Sequence, residues 1–114
     1  MAERPAHNAP VLVIGLGRFG ASTALQLLRQ NKEVLAVERS AATVQKWSGV
    51  LTHVVEADAS DIDALRQVGA EDFGAAVVGV GTSIESSVLI VANLVDLGIE
   101  RIWAKAITPA HAPG

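Results

Sequence analysis

The residues of this chain whose types and spacing suit a chemical task begin at Gly15-Leu16-Gly17-Arg18-Phe19-Gly20. The three glycines do separate things. Gly15 allows a sharp turn, Gly17 removes a side chain where a ligand must approach bare amides, and Gly20 lets a following helix sit close to the preceding strand. Amides bared at a helix start, with the positive end of the helix dipole behind them, suit a phosphate. Glu38 stands 18 positions after Gly20 and closes an apolar run, where a carboxylate accepts hydrogen bonds from ribose hydroxyls. The chemistry these groups can do is recognition of a phosphorylated sugar.

Further candidates fill in around that centre. Arg18 falls in the first turn of the expected helix, where a cation is disfavoured by about 0.3–1 kcal/mol. An anionic ligand would reverse that sign. Lys105 is a second cation for the phosphates. Asp58 is placed to accept from an adenine amino group, and Glu38 should repel a 2′-phosphate, which disfavours NADP unless Arg39 compensates. With Phe19, Ala59 and Gly81 these residues make the full candidate set for cofactor binding; none is assigned to catalysis or to a metal. Glu85 reads as a capping residue. Tyrosine is absent altogether, so the Tyr/Lys pair of short-chain reductases cannot be assembled. His7, His53 and His111 have no metal-ligand spacing, and no serine occupies a nucleophile elbow. The set describes a nucleotide sensor rather than an enzyme.

The elements that must position these groups follow from patterning. Val11–Ile14 reads as a strand running into the glycine turn, with a helix from Arg18 to Gln30. A second strand is expected over Glu33–Glu38, then a helix capped by Ser40 and running through Ser48. A third strand, Thr52–Glu56, is followed by a helix capped by Ser60. The fourth strand, Ala75–Val80, leads to a helix that starts with capping-box spacing at Thr82–Glu85 and runs to Leu97. The fifth strand is Arg101–Ala104. Strands alternating with helices require crossovers and hence a parallel sheet. Right-handed crossovers give the Rossmann-like doubly wound order 3-2-1-4-5, lacking a last strand, with ligands beyond the C-terminal strand ends. Residues 1–10 are expected as a disordered lead, 11–108 as the nucleotide-binding domain and 109–114 as an irregular tail. The chain stops where a further helix and strand are expected, as in a piece of a longer protein.

Composition narrows the field. The chain has 114 residues, half of them hydrophobic, and no cysteine. That is one domain with a core, no disulfide frame and no thiolate metal site. No apolar run approaches the ~20 residues that span a bilayer. A net charge of −3 with no basic cluster speaks against a nucleic-acid surface. On the helix Ser83–Leu97, Ile84, Val88, Val91, Ala92 and Val95 are expected to face the sheet. Ile90, Leu94 and Leu97 then form a second apolar stripe, expected to pair with its own copy in a homodimer.

Together Val13-Ile14-Gly15-Leu16-Gly17-Arg18-Phe19-Gly20, Glu33–Glu38, Ala57-Asp58-Ala59, Val78–Gly81 and Ile102-Trp103-Ala104-Lys105-Ala106 resemble the N-terminal nucleotide-binding lobe of RCK (KTN, TrkA-N type) domains. The likeness is to the regulatory subunits of Ktr/Trk-type bacterial potassium uptake systems, over about Val11 to Thr108. It implies a cytoplasmic regulatory subunit, held at the inner face of the membrane by a potassium-translocating partner and assembled as a ring of dimers. It implies ATP or ADP in the cleft, with NAD(H) as the other candidate, whose exchange reshapes the ring. In that scheme Gly15, Gly17 and Gly20 hold the phosphates, Glu38 the ribose and Asp58 the adenine. Arg18 and Lys105 contact the outer phosphates, Arg18 those of its own copy or those in the neighbouring subunit. The short lead fits a subunit separate from its transporter. The competing reading is the cofactor half of a small NAD-dependent oxidoreductase.

Overall fold

A computed structural model describes residues 10–79 and 84–104. Among them five parallel strands form one sheet: β1 (Val11–Ile14), β2 (Val34–Glu38), β3 (His53–Glu56), β4 (Ala75–Val78) and β5 (Arg101–Ala104). Their order is β3-β2-β1-β4-β5, the doubly wound arrangement expected from the alternating pattern. Ile14 lies level with Val37 on one side and Val78 on the other, so β1 and β4 end on the same line and β2 runs one residue past it. Backbone bonds extend the ladder past that line, from Gly15 N–H to Val37 O (2.8 Å) and from Gly79 N–H to Ile14 O (2.7 Å).

Every residue of β1 and β4 is buried, as central strands covered on both faces must be. Alternate side chains enter different cores. Leu12, Ile14, Val37, Ala76 and Val78 meet Leu65, Ile90, Leu94 and Ile99 beneath α3 (Ile62–Gln67) and α4 (Ile84–Asp96). Val11, Val13, Val34, Ala36, Ala75 and Val77 meet Ala21, Ala24 and Leu51 beneath α1 (Arg18–Arg29) and α2 (Ala41–Trp47).

Helix starts follow the sequence with one shift. Ser40 caps α2 by accepting from Thr43 N–H (3.3 Å). The cap of α3 is Asp61, which accepts from Asp63 N–H (3.0 Å), and not Ser60. Ser60 is occupied in a local turn: its amide and hydroxyl both donate to Asp58 Oδ1. Thr82 and Ser83, the expected start of the capping box on α4, lie outside the described residues.

The packing of α4 corrects the sequence expectation. Ile90 and Leu94 are 4% and 0% exposed, and Val91 and Leu97 pack against the same core. Val88, Leu89 and Val95 are 61%, 51% and 58% exposed. The helix is turned about its axis so that the stripe read as outward lies on the sheet. Apolar residues stand on both sides of this helix, so periodicity alone does not select a face. Contact with the sheet decides it: Ile90 and Leu94 join Leu12, Ile14, Ala76 and Val78 in one core, while Leu89, no smaller than either, stays outside.

Candidate functional site

The turn after β1 is built backbone against backbone. Gly15 has φ +90°, a conformation that side chains disfavour. A Cβ added to Gly20 would collide with the carbonyl oxygen of Gly15 and lie 2.9 Å from its carbon. A Cβ on Gly79 would lie 3.0 Å from both Cα and N of Gly20. The end of β1, the start of α1 and the end of β4 thus meet with no side chain between them. Gly17, the N-cap of α1, has open space around it and makes no side-chain cap. The first amides of α1 are left without an acidic residue in the first turn.

Beyond the strand ends lies a cleft of about 290 Å³. Gly15, Leu16 and Gly17 line it after β1, Glu38 and Arg39 after β2, Asp58, Ala59 and Ser60 after β3, and Gly79 after β4. Thr43 of α2 and Ser86 and Ile90 of α4 also line it. Of the residues singled out in the sequence, Gly15, Gly17, Glu38, Arg39, Asp58 and Ala59 are therefore brought together.

Others are placed differently. Gly20 is buried behind the turn and acts by permitting close approach. Arg18 is exposed at the start of α1, beside the cleft wall without lining it. Phe19 does not reach the cleft: it packs on the α1 side of the sheet, in a groove with Val11, Ala75, Val77 and Trp103. The reason is helical geometry, since Gly17 and Gly20 turn the cleft side of the first turn inward and leave Phe19 pointing to the opposite layer. Gly81 and Lys105 lie outside the described residues.

Glu38 does more than the sequence suggested. Its Oε1 accepts from Leu16 N–H at 2.7 Å and its Oε2 accepts from Ser40 N–H at 2.8 Å. The carboxylate thereby ties the glycine turn to the start of α2. Each carboxylate oxygen has two acceptor positions, so capacity for ribose hydroxyls remains. Asp58 is held by Ser60, whose hydroxyl (2.6 Å) and amide (3.0 Å) both reach Oδ1. These bonds, with Arg39 nearby, hold the Asp58 carboxyl below its usual value of 3.8 and favour its charged form.

Thr43, Ser60, Ser86 and Ile90 were missed as lining residues. Ser86 and Ile90 are four apart and share a helix face, which would have revealed them had the buried face of α4 been known. Among the described residues no group of three or more His, Cys, Asp or Glu is arranged to hold a metal, and no helix is long and apolar enough to cross a membrane.

A parallel doubly wound sheet with a glycine turn, an acidic residue ending β2 and a cleft over the switch between β1 and β4 defines a domain of the nucleotide-binding Rossmann class. Within that class the chain belongs to the TrkA-N domain family, whose model matches residues 11–113. It is 38% identical over 104 residues to Ktr system potassium uptake protein A of Bacillus subtilis (strain 168), covering 91% of this chain and 47% of that protein. It is 33% identical over 99 residues to Ktr system potassium uptake protein C of the same organism, covering 87% and 45%. The chain thus spans about half the length of the curated relatives it matches. Among solved structures, the NAD(P)-binding domain of an exopolyphosphatase-related protein from Archaeoglobus fulgidus superimposes with a TM-score of 0.74 at 23% identity, over 89% of this chain and 75% of that one. The GsuK RCK domain gives 0.61 at 20% identity, over 90% and 26%. These two share the fold.

Proposed function

We propose that the chain is the nucleotide-sensing lobe of a regulatory protein for potassium uptake, acting on a potassium-translocating membrane partner. The observation that supports the sensing part is the cleft of about 290 Å³, lined together by the Gly15–Gly17 turn and by Glu38, whose carboxylate is bonded to the Leu16 amide. The potassium part is carried by likeness to the two Ktr proteins of B. subtilis. ATP or ADP is the expected ligand, with NAD(H) as the other candidate. Phosphates sit on the Gly15–Gly17 turn and the start of α1, ribose hydroxyls on Glu38, and the base toward Asp58 and Ala59. Arg18 serves the outer phosphates of this copy or of a neighbour, and Lys105 is proposed for the same task.

The exposed face of α4, with Val88, Leu89, Ala92 and Val95, is the proposed contact between copies, within a ring. Ser86 and Ile90 of the same helix line the cleft, so one element touches both ligand and neighbour. A ligand shifts assembly only through contacts that differ between two states, and α4 is where such contacts can differ. The protein would work at the cytoplasmic side of the membrane through its partner, without catalysing a reaction.

Calorimetric titration with ATP, ADP, NADH and NADPH tests the reading. A sensor of this kind takes ATP or ADP at least as well as NADH. A strong preference for the dinucleotide would favour the cofactor half of an oxidoreductase, and indifference to all four would end the nucleotide reading.

A further inference from the structure

α4 carries one residue at odds with the face it occupies. Ile90, Val91, Leu94 and the following Leu97 give the sheet side of this helix an apolar surface, yet Asn93, half-buried, stands among them. Asparagine is a poor helix former, and an aliphatic residue would suit that layer better. Its side chain has a specific partner: Asn93 Nδ2 donates to the carbonyl oxygen of Ala59 at 3.0 Å, across 34 positions of sequence.

Ala59 is the pivot of the turn that walls one end of the cleft. Its side chain is buried in the core with Leu65, Ile90 and Leu94. On either side of it Asp58 O accepts from Asp61 N–H at 3.0 Å, and Asp58 Oδ1 accepts from Ser60. Asp58, Ala59 and Ser60 all line the cleft. With its methyl group seated in the core and its carbonyl clamped by α4, Ala59 has little freedom to rotate, and the direction of the Asp58 carboxylate is set accordingly.

We propose that Asn93 is a positioning residue for base selectivity: by holding the Ala59 carbonyl it fixes the turn that presents Asp58 to the base of the bound nucleotide. This rests on the nucleotide reading of the cleft given above. A carboxylate held at the 6-position accepts from the amino group of adenine and meets the carbonyl oxygen of guanine, whereas a carboxylate free to swing can reach the N1–H and 2-amino donors of guanine instead. Released from its tether, the turn loses the alignment on which that distinction depends.

Calorimetric titration of the chain and of Asn93→Leu with ATP and with GTP tests the idea. The unmodified chain should prefer ATP. In Asn93→Leu the ATP affinity should fall about tenfold, as expected for loss of one hydrogen bond's worth of alignment, while GTP affinity stays level, so the ratio collapses. A merely structural role would lower both affinities in step, and a preserved ratio overturns the proposal. Should Asn93→Leu fail to fold, Asn93→Ala removes the donor without adding a charge and gives the same reading. If the unmodified chain binds neither nucleotide, the reading of the cleft falls first and this inference with it. If it binds ATP and the variant keeps the ratio, only this inference falls.

Discussion

The carboxylate of Glu38 holds the amide of Leu16 at 2.7 Å although 22 positions separate them. With its second oxygen on Ser40 N–H, one side chain closes the glycine turn, ends β2 and steadies the approach to α2. The acid proposed to meet the ribose therefore also shapes the glycine turn.

Glu38→Ala removes both of these charge-assisted bonds. It should cost about 2 kcal/mol of stability, read as a lower urea midpoint at unchanged slope. ATP affinity should fall as well. A variant with full stability would show that the two bonds contribute nothing in solution.

Gly17 and Gly20 should respond to a methyl group to very different degrees. Gly20→Ala forces a methyl group onto the Gly15 backbone, which cannot move as a side-chain end can. The loss should be about 3 kcal/mol or more. Gly17→Ala meets nothing within 4 Å and should fold, losing about 1 kcal/mol or less from the N-cap. It should nonetheless bind ATP more weakly, because Gly17 lines the cleft. Circular dichroism and titration on the same two samples separate the effects.

Arg18→Ala should leave the ligand-free domain as stable or slightly more so, by about 0.3–1 kcal/mol, because it removes a cation from the positive end of α1. ATP binding should weaken more than NAD binding. Equal loss for both ligands would remove Arg18 from the outer phosphates.

On α4 the buried and exposed faces make a paired test. Leu94→Glu puts a charge where the native residue is fully buried and should cost more than about 4 kcal/mol, a large share of a small domain's stability. Val95→Glu, at a position 58% exposed, should change stability by no more than about 0.5 kcal/mol and abolish self-association in light scattering. Self-association that survives Val95→Glu and Val88→Glu would place the contact elsewhere.

Asp58 supplies a pH prediction. Its folded-state pKa lies below the usual 3.8, so its contribution to stability is present above about pH 3.8 and disappears as pH falls through the lowered value. Ser60→Ala removes the largest cause, the hydroxyl bond. The Asp58 carboxyl signal in an NMR titration should then move up toward 3.8. An unchanged midpoint would mean that the hydroxyl does not engage the carboxylate in solution.

The order of elements, the parallel sheet and the place of the cleft are legible in the residue pattern alone. Those features are local. Unbroken apolar runs such as Val11 to Ile14 form strands buried on both faces, Gly15 takes a positive φ that side chains disfavour, and Gly20 sits where a Cβ would collide with backbone. Tertiary structure alone decided which face of α4 is buried, that Phe19 belongs to the opposite layer, and that Glu38 and Asn93 reach Leu16 and Ala59. A helix apolar on both sides has no preferred face until it meets a sheet of fixed shape. A hydrogen bond between residues 22 or 34 positions apart exists only after the chain has closed on itself.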